Sequence, residues 1–222
     1  MSNWKIAVDD YRYLKNRAYP DRAALKLVGD RYGLSRLERN CLFRGIVAAP
    51  DAALRRSKLV AGRSVDGRSL GVDWYNVVIT VESYLKGLPV FLADDGVARD
   101  ASGVHGSYRS SGVTDRATAL LLERLRLIAP NTLELFLDEP IAFSGDTARR
   151  IREQVADRDG WRATVARSPD FLLKEFGGIV ASSDSVILDR AGHVVDLPRD
   201  VLLDAFGFEP PPLQDLDLSD RR

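Results

Sequence analysis

Near residue 70 the pattern of apolar and polar positions changes character. Before it, apolar residues recur at helical spacing: Tyr11, Leu14 and Ala18, then Ala24, Leu25, Leu27 and Val28. Tyr19-Pro20-Asp21 interrupts that rhythm and predicts a second helix, with Asp21 as its first-turn acid. Gly33 closes that helix, and Ser35 with Glu38 three residues later is a capping-box pair opening a third. Residues 50–69 are basic and broken by proline and glycine, which reads as a helix and linker. Helices of this length bury little surface alone, so they should pack on the rest of the chain.

Beyond residue 70, short apolar runs alternate with helical stretches. The runs at 70–72, 90–93, 133–137, 162–166 and 178–181 read as buried strands. Helices are predicted at 77–86, from a Thr114 or Asp115 cap to 128, at 146–155 and at 169–176. Residues 186–189 with 193–195 read as an edge hairpin. Strands alternating with helices imply an α/β fold, a doubly wound, mainly parallel sheet with right-handed crossovers. The expected organisation is a small helical N-terminal domain (1–60), an α/β domain (61–205) and a flexible, acidic, proline-rich tail (206–222).

Composition narrows the function classes modestly. Lys+Arg and Asp+Glu balance at 32 each across the 222 residues, so net charge points to no partner. Its distribution is uneven: Arg55, Arg56, Lys58, Arg63 and Arg68 make the front half basic, which suits a polyanion as well as it suits a solvated helical face. One cysteine, Cys41, cannot form an internal disulfide, and two histidines add too little for a structural zinc site. No apolar run approaches the ~18 residues of a membrane span, and no signal peptide is visible, so the expected location is the cytoplasm, away from membranes. P-loop, dinucleotide-binding and nucleophile-elbow patterns are missing from the sequence.

The candidate chemistry lies in four aspartates that follow four apolar runs: Asp73, Asp95, Asp138 and Asp184. In an open parallel sheet, residues just past the carboxyl ends of the strands converge on the ligand crevice. Carboxylates gathered there repel one another unless a cation neutralises them. They are therefore the expected catalytic residues and ligands of Mg2+ or Mn2+, with Asp100 as a fifth candidate ligand. Asp95 is preferred to Asp94 because Gly96 beside it allows close backbone approach. Asn76 would orient Asp73 or touch a phosphate oxygen, Arg99 would hold a phosphate, and His105 would move a proton. Ser144 opens a helix whose amides could bind an anion. The plainer alternative for each aspartate, and for Ser144, is a helix cap.

These residues carry a resemblance. Asp73-Trp74-Tyr75-Asn76 resembles the D-x-x-N signature of PIN-like nucleases, especially their NYN branch, and ASSDSVIL at 181–188 resembles their last acidic strand end. The order of strands and acids from 70 to about 197 is similar too. The resemblance implies an α/β/α sandwich, one or two magnesium or manganese ions, and hydrolysis of RNA, less often DNA, by a metal-activated water. It puts Asp73, Asp95, Asp138 and Asp184 in the acidic positions and Asn76 in that of the signature asparagine. Arg99, Asp100 and His105 have no counterpart in the common pattern. The chain to about residue 205 more closely resembles an uncharacterised prokaryotic family with a helical N-terminal domain. That likeness rests on residues 11–45, 94–109, 137–145 and 168–171 with the 181–188 stretch.

The expected function is a metal-dependent nuclease, an endoribonuclease first, whose basic helices would hold the nucleic-acid backbone. The alternatives are a non-catalytic nucleic-acid or nucleotide-binding module and a phosphoryl-transfer enzyme acting on a small molecule. The expected partner is nucleic acid, RNA favoured, and the chain is compatible with a homodimer.

Overall fold

A computed structural model describes residues 3–102 and 108–218, so the candidate His105 lies outside the described residues. Four helices come first: α1 (Asn3–Lys15), α2 (Asp21–Arg31), α3 (Arg36–Gly45) and α4 (Ala49–Ser57). The capping box opens α3 as its residues predict. The Glu38 amide donates to Ser35 Oγ at 3.3 Å, and the Ser35 amide donates to the Glu38 carboxylate at 2.8 Å.

The chain then forms β1 (Leu59–Val60), β2 (Ser69–Asp73), α5 (Trp74–Leu85), β3 (Val90–Leu92), β4 (Ala98–Asp100), α6 (Gly112–Ile128) and β5 (Thr132–Asp138). It continues through α7 (Ser144–Gln154), β6 (Trp161–Ala166), α8 (Pro169–Lys174), β7 (Ile179–Ala181), α9 (Ser185–Arg190), β8 (His193–Val195) and α10 (Leu197–Phe206). Six strands form one sheet in the order β1-β8-β7-β2-β5-β6, with every pair parallel. The path runs outward from β2 through β5 to β6, then returns to β7 and β8, so its direction reverses between β2 and β7.

Both faces of the sheet are covered, as a parallel sheet requires. Leu70, Val72, Leu133, Leu135, Leu137 and Ile179 point to the face packed by α5, α6, α7 and α10. Phe136, Val180 and Val194 point the other way, to Leu173 of α8 and to Ile187 and Leu188 of α9. No helix of the described residues is long and apolar enough to cross a membrane.

Several elements differ from the sequence expectation. The run at 90–93 is not a strand of the main sheet. β3 and β4 form a separate antiparallel hairpin, with Val90 opposite Asp100 and Leu92 opposite Ala98. Gly96 sits in its turn at φ +81°, a left-handed conformation that glycine adopts without strain, so its role is conformational. Residues 186–189 belong to the short helix α9, and β8 joins the sheet in parallel. The cap of α6 is Ser111, whose amide donates to Thr114 Oγ1 at 2.9 Å. Edge strand β1 and helix α10 were not anticipated.

The proline-rich segment expected as a flexible tail packs on the protein as far as residue 218. Leu213 and Leu218 enter the core of the N-terminal helices beside Trp4, Tyr11, Leu42 and Phe91. Trp4 Nε1 donates to the Leu213 carbonyl at 3.1 Å, and the Leu92 amide donates to the Pro211 carbonyl at 2.8 Å. The approach is close at Gly45, where any side chain would force Leu213 or Phe91 to shift. A Cβ there would stand 2.7 Å from Leu213 Cδ2 and 2.9 Å from Phe91 Cε2.

Candidate active site

The reversal between β2 and β7 opens a crevice at the carboxyl edge of the sheet, the place where open α/β sheets take their ligands. β2 ends on Asp73, and β7 is followed directly by Ser182, Ser183 and Asp184. Ser182 Oγ donates across the crevice to Asp73 Oδ2 at 2.8 Å. Asn76, in the first turn of α5, donates through Nδ2 to the same oxygen at 2.5 Å. Ser183 Oγ in turn donates to Asn76 Oδ1 at 3.4 Å.

Asp73 is 1% exposed. Burial pushes its carboxyl up to about 7, the hydrogen bonds from Ser182 and Asn76 oppose that, and the negative charges of Asp138 and Asp170 add to it. Strand alternation explains the grouping. Val72 and Leu137 point to the α5 face, so their neighbours Asp73 and Asp138 lie toward α8, whose first turn carries Asp170. Asp138 and Asp170 are thus near enough for their charges to act on Asp73, without forming a three-carboxylate cluster with it among the described residues. Asp170 is not among the candidate acids of the sequence; the signal for it is its place in the first turn of a helix that starts soon after β6 ends.

The other candidate acids are occupied elsewhere. Asp95 lies in the β3–β4 turn, not at the end of a sheet strand. Arg99 Nη1 and Nη2 donate to its carboxylate at 2.6 and 2.8 Å, and Arg55 Nη1 donates at 3.2 Å. Burial disfavours its charge, yet the two guanidinium groups outweigh burial and hold the carboxyl below its ordinary range. Asp100 is also buried, and its carboxyl is held low by Arg44 at 3.2 Å, by the Ser102 amide at 2.8 Å and by Thr80 Oγ1 at 3.2 Å. Asp184 caps α9, accepting from the Val186 and Ile187 amides at 2.8 and 3.3 Å. The expected cage of four aspartates does not form. Among the described residues no three acidic, histidine or cysteine side chains converge as a metal cluster.

Arg99 is not free for a phosphate either, because it also donates to the Ser183 carbonyl at 3.3 and 3.1 Å. Ser144 is buried, its hydroxyl 3.5 Å from the Glu139 carbonyl, and the cap position of α7 belongs to Phe143. Of the basic residues at 55–68, Arg55 is buried and Lys58 half-buried, its Nζ donating to the carbonyls of Leu188 and Asp189 at 2.9 and 2.8 Å, whereas Arg56, Arg63 and Arg68 are exposed.

Over the crevice lies a cleft of about 490 Å³. Its floor includes Asn76, Arg99 and Ser183, and its roof includes Asn40, Phe43 and Arg44 of α3 and Asp51 and Arg55 of α4. Arg55 ties roof to floor, donating to Asp189 at 2.7 and 3.0 Å and to Ser185 Oγ at 3.2 Å. The cations of the lining are matched internally: Arg44 by Asp100, Arg55 by Asp189 and Asp95, Arg99 by Asp95, and Lys15 by Asp21 at 2.6 Å. The groups around Asp73 are its own carboxylate, the Asn76 amide and the Ser182 and Ser183 hydroxyls, oxygen-bearing groups of the kind that suit a hard cation such as magnesium.

Comparison with known proteins gives a family without a function. The model described as "Domain of unknown function (DUF5616)" matches residues 63–200, and that described as "Protein of unknown function (DUF434)" matches residues 4–58. The "Uncharacterized protein MJ0935" of Methanocaldococcus jannaschii is 33% identical over 194 residues, which cover 86% of this chain and 92% of the relative. No solved structure matches. The cleft lies where the two matched stretches meet, its roof drawn from the first and its floor from the second. Matched from the turn before β2 into α10, which is more than half of its length, the chain belongs to the DUF5616 family and carries a DUF434 segment ahead of it.

Proposed function

We propose that the protein is a divalent-cation-dependent hydrolase of phosphodiester bonds, in the first place an endoribonuclease. One observation carries this: Asp73 is buried at the strand-order reversal and oriented by Ser182 and Asn76, with the charges of Asp138 and Asp170 acting on it. Asp73 would hold the cation, with Asp138 and Asp170 near it. Magnesium commonly uses one or two carboxylates, keeps several waters and takes substrate phosphate as a ligand, so a cage of three protein groups is not required. Bound there, Mg2+ or Mn2+ supplies an acidified water and charge for the phosphate.

The chain's own residues do the rest. Ser182 and Asn76 hold the Asp73 carboxylate in one orientation, and Ser183 holds Asn76 in turn. The roof helices screen the crevice from bulk water. The resemblance of residues 73–76 and 181–188 to PIN-like nucleases supports the same reading. A second reading, hydrolysis of a small phosphorylated molecule, is favoured by the cleft itself. Its volume of about 490 Å³ falls within the ~300–1,000 Å³ of small-molecule sites, and its arginines are already paired.

The test is manganese titration by calorimetry with an RNA-cleavage assay on wild type, Asp73→Asn and Asp184→Asn. The expected result is that Asp73→Asn abolishes both activities and Asp184→Asn retains both. Cation binding with intact RNA, but turnover of a small phosphodiester, moves the conclusion to the second reading. A wild type that binds no cation sinks both.

A further inference from the structure

We infer that the loops following β5 and β6 form a stacking platform for single-stranded nucleic acid, with Phe143 and Phe171 as the base-contacting residues. The inference rests on the hydrolase reading for where the substrate is cut, and it names the substrate class.

Phe143 is 74% exposed and Phe171 68% exposed, so neither ring serves the core. Phe143 also breaks two local rules at once. It takes the cap position of α7 at φ 63° and ψ 20°, where a bulky side chain is strained, and it offers no side-chain acceptor to the helix amides. Asparagine would meet both requirements better. A strained residue whose side chain lies in solvent is more readily explained by what it presents to a ligand than by stability.

The placement fits a strand that crosses the edge of the sheet. Phe143 follows β5 and opens α7 on one face, whereas Phe171 follows β6 in the first turn of α8 on the other. The ends of β5 and β6 are tied together by the Glu139 amide donating to the Ala166 carbonyl at 2.9 Å. Asp138 ends β5, and Asp170 immediately precedes Phe171. A polynucleotide laid over this edge passes one ring on each face of the sheet. Exposed Arg167, in the loop between β6 and α8, pairs with no carboxylate among the described residues and is available to a phosphate. Separate rings with an unpaired arginine suit stacked bases and their backbone, the two elements of sequence-tolerant single-strand binding.

The test is fluorescence anisotropy with labelled single-stranded oligoadenylate, as RNA and as DNA, in EDTA so that nothing is cut. Wild type should bind, Phe171→Ala and Phe143→Asn should each weaken binding roughly ten-fold, and Phe143→Trp should retain it. Phe143→Asn should also raise the melting temperature, because asparagine tolerates the left-handed conformation. Equal affinity in wild type and variants, no binding by wild type, or a lowered melting temperature in Phe143→Asn would each overturn the platform. Manganese-dependent turnover of bis(p-nitrophenyl) phosphate separates the two claims. Turnover with unchanged oligonucleotide affinity in the variants sinks the platform alone. Lost affinity in the variants without any wild-type turnover leaves the platform standing and sinks the hydrolase.

Discussion

Asp73 and Asp184 both stand at a strand-to-helix junction, yet their carboxylates do different things. Asp184 turns back onto the first amides of α9, whereas Asp73 makes no such bond to α5 and accepts from Asn76 and Ser182 instead. Asp184→Ala should therefore lose about 0.5–2 kcal/mol of stability in urea denaturation and leave manganese binding unchanged. Manganese should raise the melting temperature of wild type and not that of Asp73→Asn. Asp196 adds a pH dependence. Burial raises its carboxyl to about 6, against the pull of the Ala98 and Arg199 amides it accepts from. The folded state then keeps a proton that the unfolded chain gives up near ~3.9, so this group's contribution to stability falls as pH rises from about 4 through 6. Asp196→Asn should have a flatter stability profile than wild type across that window. At this scale the pairing of Asn76 with Asp73 is legible in sequence, because a residue three on from a strand end sits in the first turn of the next helix. The choice among the remaining acids is not, because spacing does not reveal whether a carboxylate will face an amide, a guanidinium or another acid.

Among the elements, the β3–β4 hairpin is the one most easily misread. Its apolar run at 90–93 has the length and composition of a buried parallel strand, and only the Asp94-Asp95-Gly96 turn marks it otherwise. The hairpin carries a buried ionic strut: Arg99 grips Asp95 and the Ser183 carbonyl, and Arg55 reaches Asp95 from α4. Removing Arg99 leaves a buried carboxylate short of partners. Arg99→Met should lose about 3–5 kcal/mol in urea denaturation, and adding Asp95→Leu should recover much of that loss. The strut also reaches the crevice, since Ser183 holds Asn76, which holds Asp73. Elements announced by helical periodicity or by a capping pair, such as α1, α2 and α3, were readable. β1 was not, because two residues give no period to read, and α9 was not, because its apolar run of Val186, Ile187 and Leu188 reads as well as a strand.

At the scale of the whole molecule, the helical N-terminal region is not self-contained. Its core includes Phe91 and Ala101 from the hairpin segment and Leu213 and Leu218 from the far end of the described chain. The acidic, proline-rich composition of that last segment hid two leucines that matter more than their surroundings. Leu213→Ala should lose about 2–5 kcal/mol in chemical denaturation, a large share for a residue in a stretch that reads as a tail.

The return of residues 211–218 to α1 also has a consequence for how the protein is made. Translation delivers the roof helices well before Leu213, so a nascent chain carries an unfilled gap beside Trp4 and Gly45 until residues 211–218 emerge. The core behind the roof helices is therefore completed only after residues 211–218 have left the ribosome.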